Sequence, residues 1–489
     1  MFLVDDLGWQ DTSVPFSSEE TPLNRRYRTP NMKRMAADGM RFTQAYACCV
    51  CTPTRVSLMT GLNAARHRVT NWTLRNGTHS VNDEGKHPML EFPQWNFNGL
   101  TQTPGEKYTV YATALPELLH QAGYRTIHVG KAHFGALDTS GADPLNLGFD
   151  INIAGHAAGA PASYLGTEAF GNLHKSKKKP WAVPGLEKYH GQEIFLTEAL
   201  TREANLAVDQ AVEARQPFFL YMAHYAVHTP LNTDARFIQP YLDAGLDRRE
   251  AMYAAMIEGV DQSLGDIMKN VERHGLTSNT VILFMSDNGG LSAVARGGEP
   301  HTHNRPLASG KGSAYEGGIR VPMLVKWPGV TAPASTCDTP VIIEDFFATI
   351  LEIAGAAGLA SRDVDGKSFV PLLTGNNKVA DKEEGSSEDR PLFWHYPNWW
   401  GPNGPGIGPS STIRKGDWKL IYFHLDQHYE LYNLAEDLSE KNNQAQERPT
   451  LTNELANVLG DYLRDVQAQM PSIKATGKQV PWPGEDYLE

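Results

Sequence analysis

Residues 45–61, Ala-Tyr-Ala-Cys-Cys-Val-Cys-Thr-Pro-Thr-Arg-Val-Ser-Leu-Met-Thr-Gly, set Cys51, Pro53 and Arg55 at alternate positions of a C-x-P-x-R pentapeptide. The apolar turn Val56, Leu58 and Met59, closed by Gly61, predicts that Cys51 stands at or just before a helix start. Unpaired N–H groups and the positive end of the helix dipole gather at such a point. They favour a tetrahedral oxyanion and activate a thiol, and Arg55, one turn on, adds a permanent charge. The spacing is too short for a phosphatase-type thiolate loop. Taken alone, the pentapeptide also fits a small buried cysteine beside Cys48 and Cys49, with Arg55 in an ordinary ion pair.

Two further pairs carry chemistry. Asp5 and Asp6, together with Asp287 and the neutral amide Asn288, make an all-oxygen ligand set that suits Ca²⁺ or Mg²⁺ better than zinc. Asp5-Asp6 by itself also reads as a polar strand end with a capping role, but adjacent acids held with a third call for a cation. Lys131 and Lys311 join Arg55 as fixed positive charge for an anionic substrate group. His133 and His228 are candidate proton donors or acceptors because imidazole titrates near neutrality. Asn71-Trp-Thr and Asn76-Gly-Thr match the glycosylation acceptor pattern.

These residues lie hundreds of positions apart, so the elements between them must bring them together. Residues 1–4 read as the stub of a buried strand. Thr29 reads as the cap of a helix over 30–38, with Pro30 at its first position and Gly39 as terminator. Residues 63–112, rich in Asn, Gly, His, Pro and Trp, read as long loops framing a cleft. A helix near 113–121 feeds the strand Arg125–Gly130, which delivers Lys131 and His133. A helix near 197–214 feeds the apolar run 218–223, which delivers His224 and His228. A long helix near 248–273 feeds 281–285, which delivers Asp287 and Asn288. Helices alternating with apolar strands predict an α/β fold, a large and mostly parallel central sheet sandwiched by helices. Ligands bind such sheets outside the carboxyl ends of the strands, which is where all these polar residues fall.

Downstream, Lys311 lies in a glycine-rich loop before a strand at 323–327. Residues 1–375 read as the catalytic α/β domain and 376–390, almost without large apolar side chains, as a linker. Residues 391–489 read as a C-terminal subdomain, in which 392–396, 411–423 and 429–434 suggest a small antiparallel sheet and 451–466 a closing amphipathic helix. The 489 residues suffice for one large domain plus a smaller one, and the formal charge of −12 argues against a nucleic-acid surface. Four cysteines make no disulfide framework. No apolar run is long enough to span a membrane, and Met1-Phe-Leu-Val enters Asp5-Asp6 with no leader pattern.

In order along the chain come V-D-D-L-G-W (Val4–Trp9), C-T-P-T-R with L-M-T-G (Cys51–Arg55, Leu58–Gly61), G-K-x-H (Gly130–His133), H-T-P (His228–Pro230), D-N-G-G (Asp287–Gly290) and G-K-G-S-A-Y-E-G-G-I-R-V-P (Gly310–Pro322). This series resembles the type I sulfatases of the alkaline phosphatase superfamily, over nearly the whole chain. The resemblance implies that a formylglycine-generating enzyme, or an anaerobic sulfatase-maturing enzyme, oxidises Cys51 to formylglycine, whose aldehyde hydrates to a geminal diol. Asp5, Asp6, Asp287, Asn288 and residue 51 would bind one Ca²⁺, with Mg²⁺ as the substitute, and Arg55 and Lys131 would hold the diol. One hydroxyl would attack sulfur while His228 or Lys311 protonates the departing alcohol. The second, losing its proton towards His133, would expel sulfate. It implies a periplasmic or secreted enzyme whose leader the chain lacks, since family members have a longer first strand.

The substrate expected from the resemblance is a sulfated saccharide, with terminal 4- or 6-sulfated galactose or N-acetylgalactosamine favoured. His156, His224, Arg296, His301, His303 and His395 are the candidate substrate contacts, and Trp399 and Trp400 are aromatic candidates for stacking on a sugar. Three other readings stay open. They are a phosphatase or phosphodiesterase of the same superfamily, a sulfated-glycan-binding protein if Cys51 is never matured, and a plain cysteine hydrolase.

Overall fold

The computed structural model describes residues 1–79, 87–173, 180–291, 303–360, 364–375, 390–401 and 404–485. At its centre runs a sheet whose path is Ser335–Cys337, Met40–Tyr46, Arg320–Lys326, Ile282–Ser286, Phe2–Val4, Phe218–Ala223, Arg125–Gly130 and Ile151–Ile153, with Val341–Ile342 also pairing with Met40–Tyr46. Arg320–Lys326 runs antiparallel to both its neighbours, and the other pairings are parallel.

Successive side chains of the central strands enter opposite apolar layers. Leu3, Leu283, Met285, Met323 and Val325 pack on one face with Phe42, Phe346 and Phe347. Phe2, Val4, Phe284 and Leu324 pack on the other with Leu200, Val260 and Leu264. A strand covered on both faces reads as a continuous apolar run, which is how 218–223 and 282–285 appear in the chain.

The long helix spans Arg248–Arg273, and Asp247 caps it by accepting from the backbone N–H groups of Arg249 and Glu250. The helix Pro30–Asp38 departs from expectation at its start. Thr29 makes no side-chain cap; its hydroxyl accepts instead from the Ser13 N–H at 2.8 Å. Asp261, on the long helix, accepts from the N–H groups of Asn31 at 3.0 Å and Met32 at 2.7 Å. A carboxylate brought in by tertiary packing thus takes the place of the local hydroxyl, and its charge suits the helix N-terminus.

Residues 63–112 are not all loop. Gly99–Thr101 pairs in parallel with Thr109–Tyr111, and Leu90–Glu91 pairs with Ser472–Ile473 near the other end of the chain. The stretch 411–423 forms two strands, Ser410–Lys415 and Trp418–Phe423. They lie between Leu392–Tyr396 and Tyr429–Asn433 in a four-stranded antiparallel sheet. The helix Pro449–Asp465 covers it, laying Leu455, Leu459 and Leu463 on Ile413, Leu420 and Leu431.

A buried ionic cluster joins the two sheets. Lys419 Nζ sits 3.0 Å from Glu316 Oε1 and 2.8 Å from Glu440 Oε1, while Glu316 Oε2 accepts from Tyr46 at 2.8 Å and from Arg320 at 3.2 Å.

Candidate active site

The carboxyl ends of the parallel strands meet at one edge of the sheet. Val4 leads into Asp5 and Asp6, Gly130 into Lys131, Ala223 into the turn carrying His228, and Ser286 into Asp287 and Asn288. Met40–Tyr46, a strand that the apolar pattern did not reveal, leads into the segment ending at Cys51, the first residue of the fully buried helix Cys51–Thr60. Because Arg320–Lys326 runs the other way, its preceding loop brings Lys311 to the same edge.

Ligand atoms of Asp5, Asp6, Cys51 and Asp287 all lie within 4.8 Å of one another. Lys131 Nζ is 2.6 Å from Asp5 Oδ2 and 3.8 Å from Asp287 Oδ2. Arg55 pairs with Asp287 Oδ2 through Nε at 3.0 Å and Nη2 at 2.9 Å, and donates through Nη1 to the Lys131 carbonyl at 2.8 Å. Lys311 Nζ lies 2.5 Å from Asp6 Oδ1 and 3.2 Å from Cys51 Sγ. Asn288 donates to Asp6 Oδ1 at 2.8 Å, and Cys51 Sγ is 3.7 Å from Asp5 Oδ1.

Backbone geometry supports the cluster. Asp6 and His133 both adopt left-handed conformations, with φ of 61° and 55°, which non-glycine residues hold only when surroundings enforce them. Two motifs distant in sequence are laced together: Gly289 N–H donates to the Gly318 carbonyl at 2.9 Å, and a Cβ on Gly289 would stand 1.8 Å from the Gly317 oxygen.

The electrostatics follow from burial. Burial and the neighbouring Asp287 push Asp5 well above the usual carboxylate range, with Lys131 opposing. For Asp6 burial works against ionisation, but Lys311, Lys131 and the hydrogen bond from Asn288 hold it well below that range. Burial raises the Cys51 thiol to about 11 despite Lys131 and Lys311, so it is a neutral thiol near pH 7. Lys311 stays an ammonium because the Asp6 carboxylate outweighs its burial.

Asp6 Oδ2 and Asn288 Oδ1 are buried, take no hydrogen bond and belong to this cluster. Orphaned oxygens beside three carboxylates are what a hard cation requires, so the residues fit one. A two-zinc centre would need a second His and Asp set. Among the described residues, this is the group of His, Cys, Asp and Glu side chains with metal-ligand spacing.

His228 Nε2 is 3.8 Å from Asp6 Oδ2, and its Nδ1 donates to the Thr229 carbonyl at 2.7 Å. Tyr164 fixes this turn by donating to the carbonyls of Tyr225 and His228 at 2.6 and 2.8 Å. His133 Nε2 lies 2.9 Å from the Thr73 carbonyl and 3.1 Å from the hydroxyl of Thr52, the neighbour of Cys51. Thr52 lies in the C-T-P-T-R motif and Thr73 in the Asn71-Trp-Thr triplet, but neither motif marks its threonine as a partner of His133. His156 borders this corner: its carbonyl accepts from His133 N–H at 3.1 Å and its ring meets Tyr225 at 3.3 Å.

Three expected substrate contacts are corrected. His224 is fully buried against Ser263 at 2.9 Å, and burial lowers it to about 3. His303 is fully buried and paired with Glu250 at 2.7 Å. His395 is held between Ser411 and the Gln469 carbonyl, each at 2.8 Å, inside the C-terminal sheet. Their hydrogen-bonding capacity serves the interior. Arg296 and His301 lie outside the described residues. Asn71 is fully buried, which rules out glycosylation of the folded chain there, whereas Asn76 is exposed.

A family model described as Sulfatase matches residues 1–356. The chain belongs to the sulfatase family. It is a type I sulfatase of the alkaline phosphatase superfamily, and a second model, described as N-sulphoglucosamine sulphohydrolase, C-terminal, matches residues 310–469. The sulfatase is 30% identical to a "Sulfatase" of Formosa agariphila, over 100% of this chain and 92% of that one. It is 30% identical to the N-acetylgalactosamine-6-sulfatase of Homo sapiens, over 81% of this chain and 68% of the human protein. Its fold matches the crystal structure of Ps i-CgsB in complex with k-i-k-neocarrahexaose with a TM-score of 0.71 and 26% identity, covering 99% of this chain and 94% of that one. Among the described residues of the sulfatase, no helix is long and apolar enough to cross a membrane.

Proposed function

We propose that this sulfatase releases inorganic sulfate from a sulfated saccharide, with the terminal 4- or 6-sulfated galactose or N-acetylgalactosamine of a glycan as the favoured substrate. The observation that carries this is the convergence of Asp5, Asp6, Cys51 and Asp287 within 4.8 Å under three cationic side chains. The names and ligands of the relatives support the sugar class. Asp5, Asp6, Asp287, Asn288 and residue 51 would hold one Ca²⁺, or Mg²⁺ in its place; when bound it neutralises charge on the sulfate oxygens. Cys51, oxidised to formylglycine by a formylglycine-generating or anaerobic sulfatase-maturing enzyme, would supply a geminal diol as nucleophile.

The chain's own groups divide the remaining work. Arg55 and Lys131 fix the orientation of Asp287 and Asp5 and add positive charge in a buried site. Lys311, an ammonium 3.2 Å from residue 51, donates the proton to the departing sugar oxygen. His228 is less suited to that step. A carbonyl can only accept, so Nδ1 carries the ring proton and Nε2 is the lone-pair nitrogen of the neutral imidazole. It therefore serves to accept a hydrogen bond beside Asp6. His133, anchored on Thr73 and Thr52, is the nearby base for the proton lost as sulfate departs.

We also assign residues 1–375 to catalysis, 376–390 to a linker and 391–489 to a C-terminal subdomain, and place the enzyme in the periplasm or outside the cell. The test combines a peptide mass across residue 51 with ion chromatography of sulfate released from a panel of 4- and 6-sulfated saccharides. Sulfate appears from at least one of them. A preparation with verified formylglycine that releases none refutes the substrate reading.

A further inference from the structure

We propose that Trp400 is the wall on which the substrate's sugar ring rests, making it a specificity-determining residue contributed from beyond the large sheet. This rests on the saccharide reading above. Lys311 Nζ, 3.2 Å from Cys51 Sγ, also lies over the Trp400 ring at 5.9 Å from its centroid. An ester whose sulfur is held at residue 51 has its leaving oxygen beside Lys311. The carbon bonded to that oxygen, and the pyranose behind it, therefore pass next to the indole. An indole presents a broad apolar face with little conformational entropy to lose, which suits the C–H face of a sugar.

The loop around Lys311 is shaped to admit this ring. Gly312 has a φ of +86°, and a Cβ there would stand 2.2 Å from Trp400 Cε3, so the bare backbone lets the indole lie against the loop. The loop is pinned by other bonds: Gly312 N–H to the Cys49 carbonyl at 2.8 Å, Ala314 N–H to the Gly406 carbonyl at 2.9 Å, and Ser313 Oγ to the Pro405 carbonyl at 3.0 Å. Trp400 is not needed to hold Lys311 in place, and it is only part-buried. Trp400 packs in part on the core of the large sheet, whereas Trp399 packs with a C-terminal cluster and its ring meets His87 at 5.4 Å.

The test uses protein with formylglycine verified at residue 51, as wild type, Trp400→Ala and Trp400→Phe, and a sulfated monosaccharide that the wild type hydrolyses. Trp400→Ala raises KM by about fivefold to tenfold, in line with the loss of one aromatic contact, with kcat changed less than KM. Trp400→Phe recovers most of the loss. Inhibition by inorganic sulfate, which reports the pocket around Lys311 alone, keeps its wild-type constant in both variants. An unchanged KM in Trp400→Ala overturns the proposal, and so does a parallel rise in the sulfate inhibition constant, which would make Trp400 a support for Lys311. A wild-type enzyme that releases sulfate from aryl esters and from no saccharide overturns the saccharide reading instead, before any variant is compared.

Discussion

The reactive position carries a thiol that its surroundings keep neutral. Burial raises Cys51 to about 11, so the unmodified side chain is a poor nucleophile near pH 7 and its oxidation product is the group suited to the chemistry. Cys51→Ala is accordingly expected to bring sulfate release down to background while the circular dichroism spectrum and melting temperature stay near wild type; retained release would remove residue 51 from the mechanism. Asp287 has a double part, as a cation ligand and as the partner of Arg55 at 2.9 Å. Asp287→Asn should lower bound calcium, measured by elemental mass spectrometry. It should also cost about 3–5 kcal/mol in chemical denaturation, because Arg55 is left charged and buried. Wild-type calcium content in that variant would overturn the ligand assignment. Cys51, Arg55, the paired acids and the lysines were legible because few residue types do this work and their motifs are local. Thr52, Thr73 and Tyr164 were not, because a threonine or tyrosine becomes a support only through what the fold sets against it.

At the scale of elements, Glu344 is buried just before the helix Asp345–Ile353 and accepts from Asn63 at 2.8 Å. Burial and the adjacent Asp345 raise its carboxyl from 4.5 to about 8. The folded chain then keeps a proton that the unfolded chain releases, so stability falls as pH rises through this interval and stays reduced above it. Glu344→Gln cannot ionise. Its melting temperature relative to wild type should climb between pH 5 and pH 8 and level off beyond, and a pH-independent difference would contradict the assignment. Helices with a regular apolar stripe, such as Arg248–Arg273, were legible in the chain. Met40–Tyr46 was not, since Arg41, Thr43 and Gln44 interrupt its apolar run and its pairing with Arg320–Lys326 on one side and Ser335–Cys337 and Val341–Ile342 on the other makes it a strand. Thr29 and Gly39 stand at the expected cap positions of Pro30–Asp38, but the carboxylate that accepts from its first N–H groups, Asp261, is distant in sequence and so was not legible.

Across the whole molecule, the joint between the two sheets combines apolar packing of Trp394 and Tyr396 with a buried ionic cluster. Lys419 and Glu316 are both fully buried, and Glu440 nearly so, with Tyr46 and Arg320 completing the cluster. Removing one charge strands the others. Lys419→Ala should therefore cost about 3–5 kcal/mol in chemical denaturation, whereas an exposed pair such as Arg202–Glu198 should contribute under about 1 kcal/mol. Equal effects in the two variants would show that the cluster does not bind the sheets together. A cavity of about 620 Å³ lies at the other end of the strands, against Phe218, Leu220 and Ile282, so volume alone does not mark the site. The amino-acid order by itself determined the α/β class, the acids, cysteine and cations of the site and the edge of the sheet where they end, because each strand hands its polar residues to the loop that follows. Tertiary structure alone decided that one strand runs backwards and so delivers Lys311 to that edge. It also decided which histidines face the site and which are spent on the interior, since burial and long-range pairing depend on neighbours the local pattern does not contain.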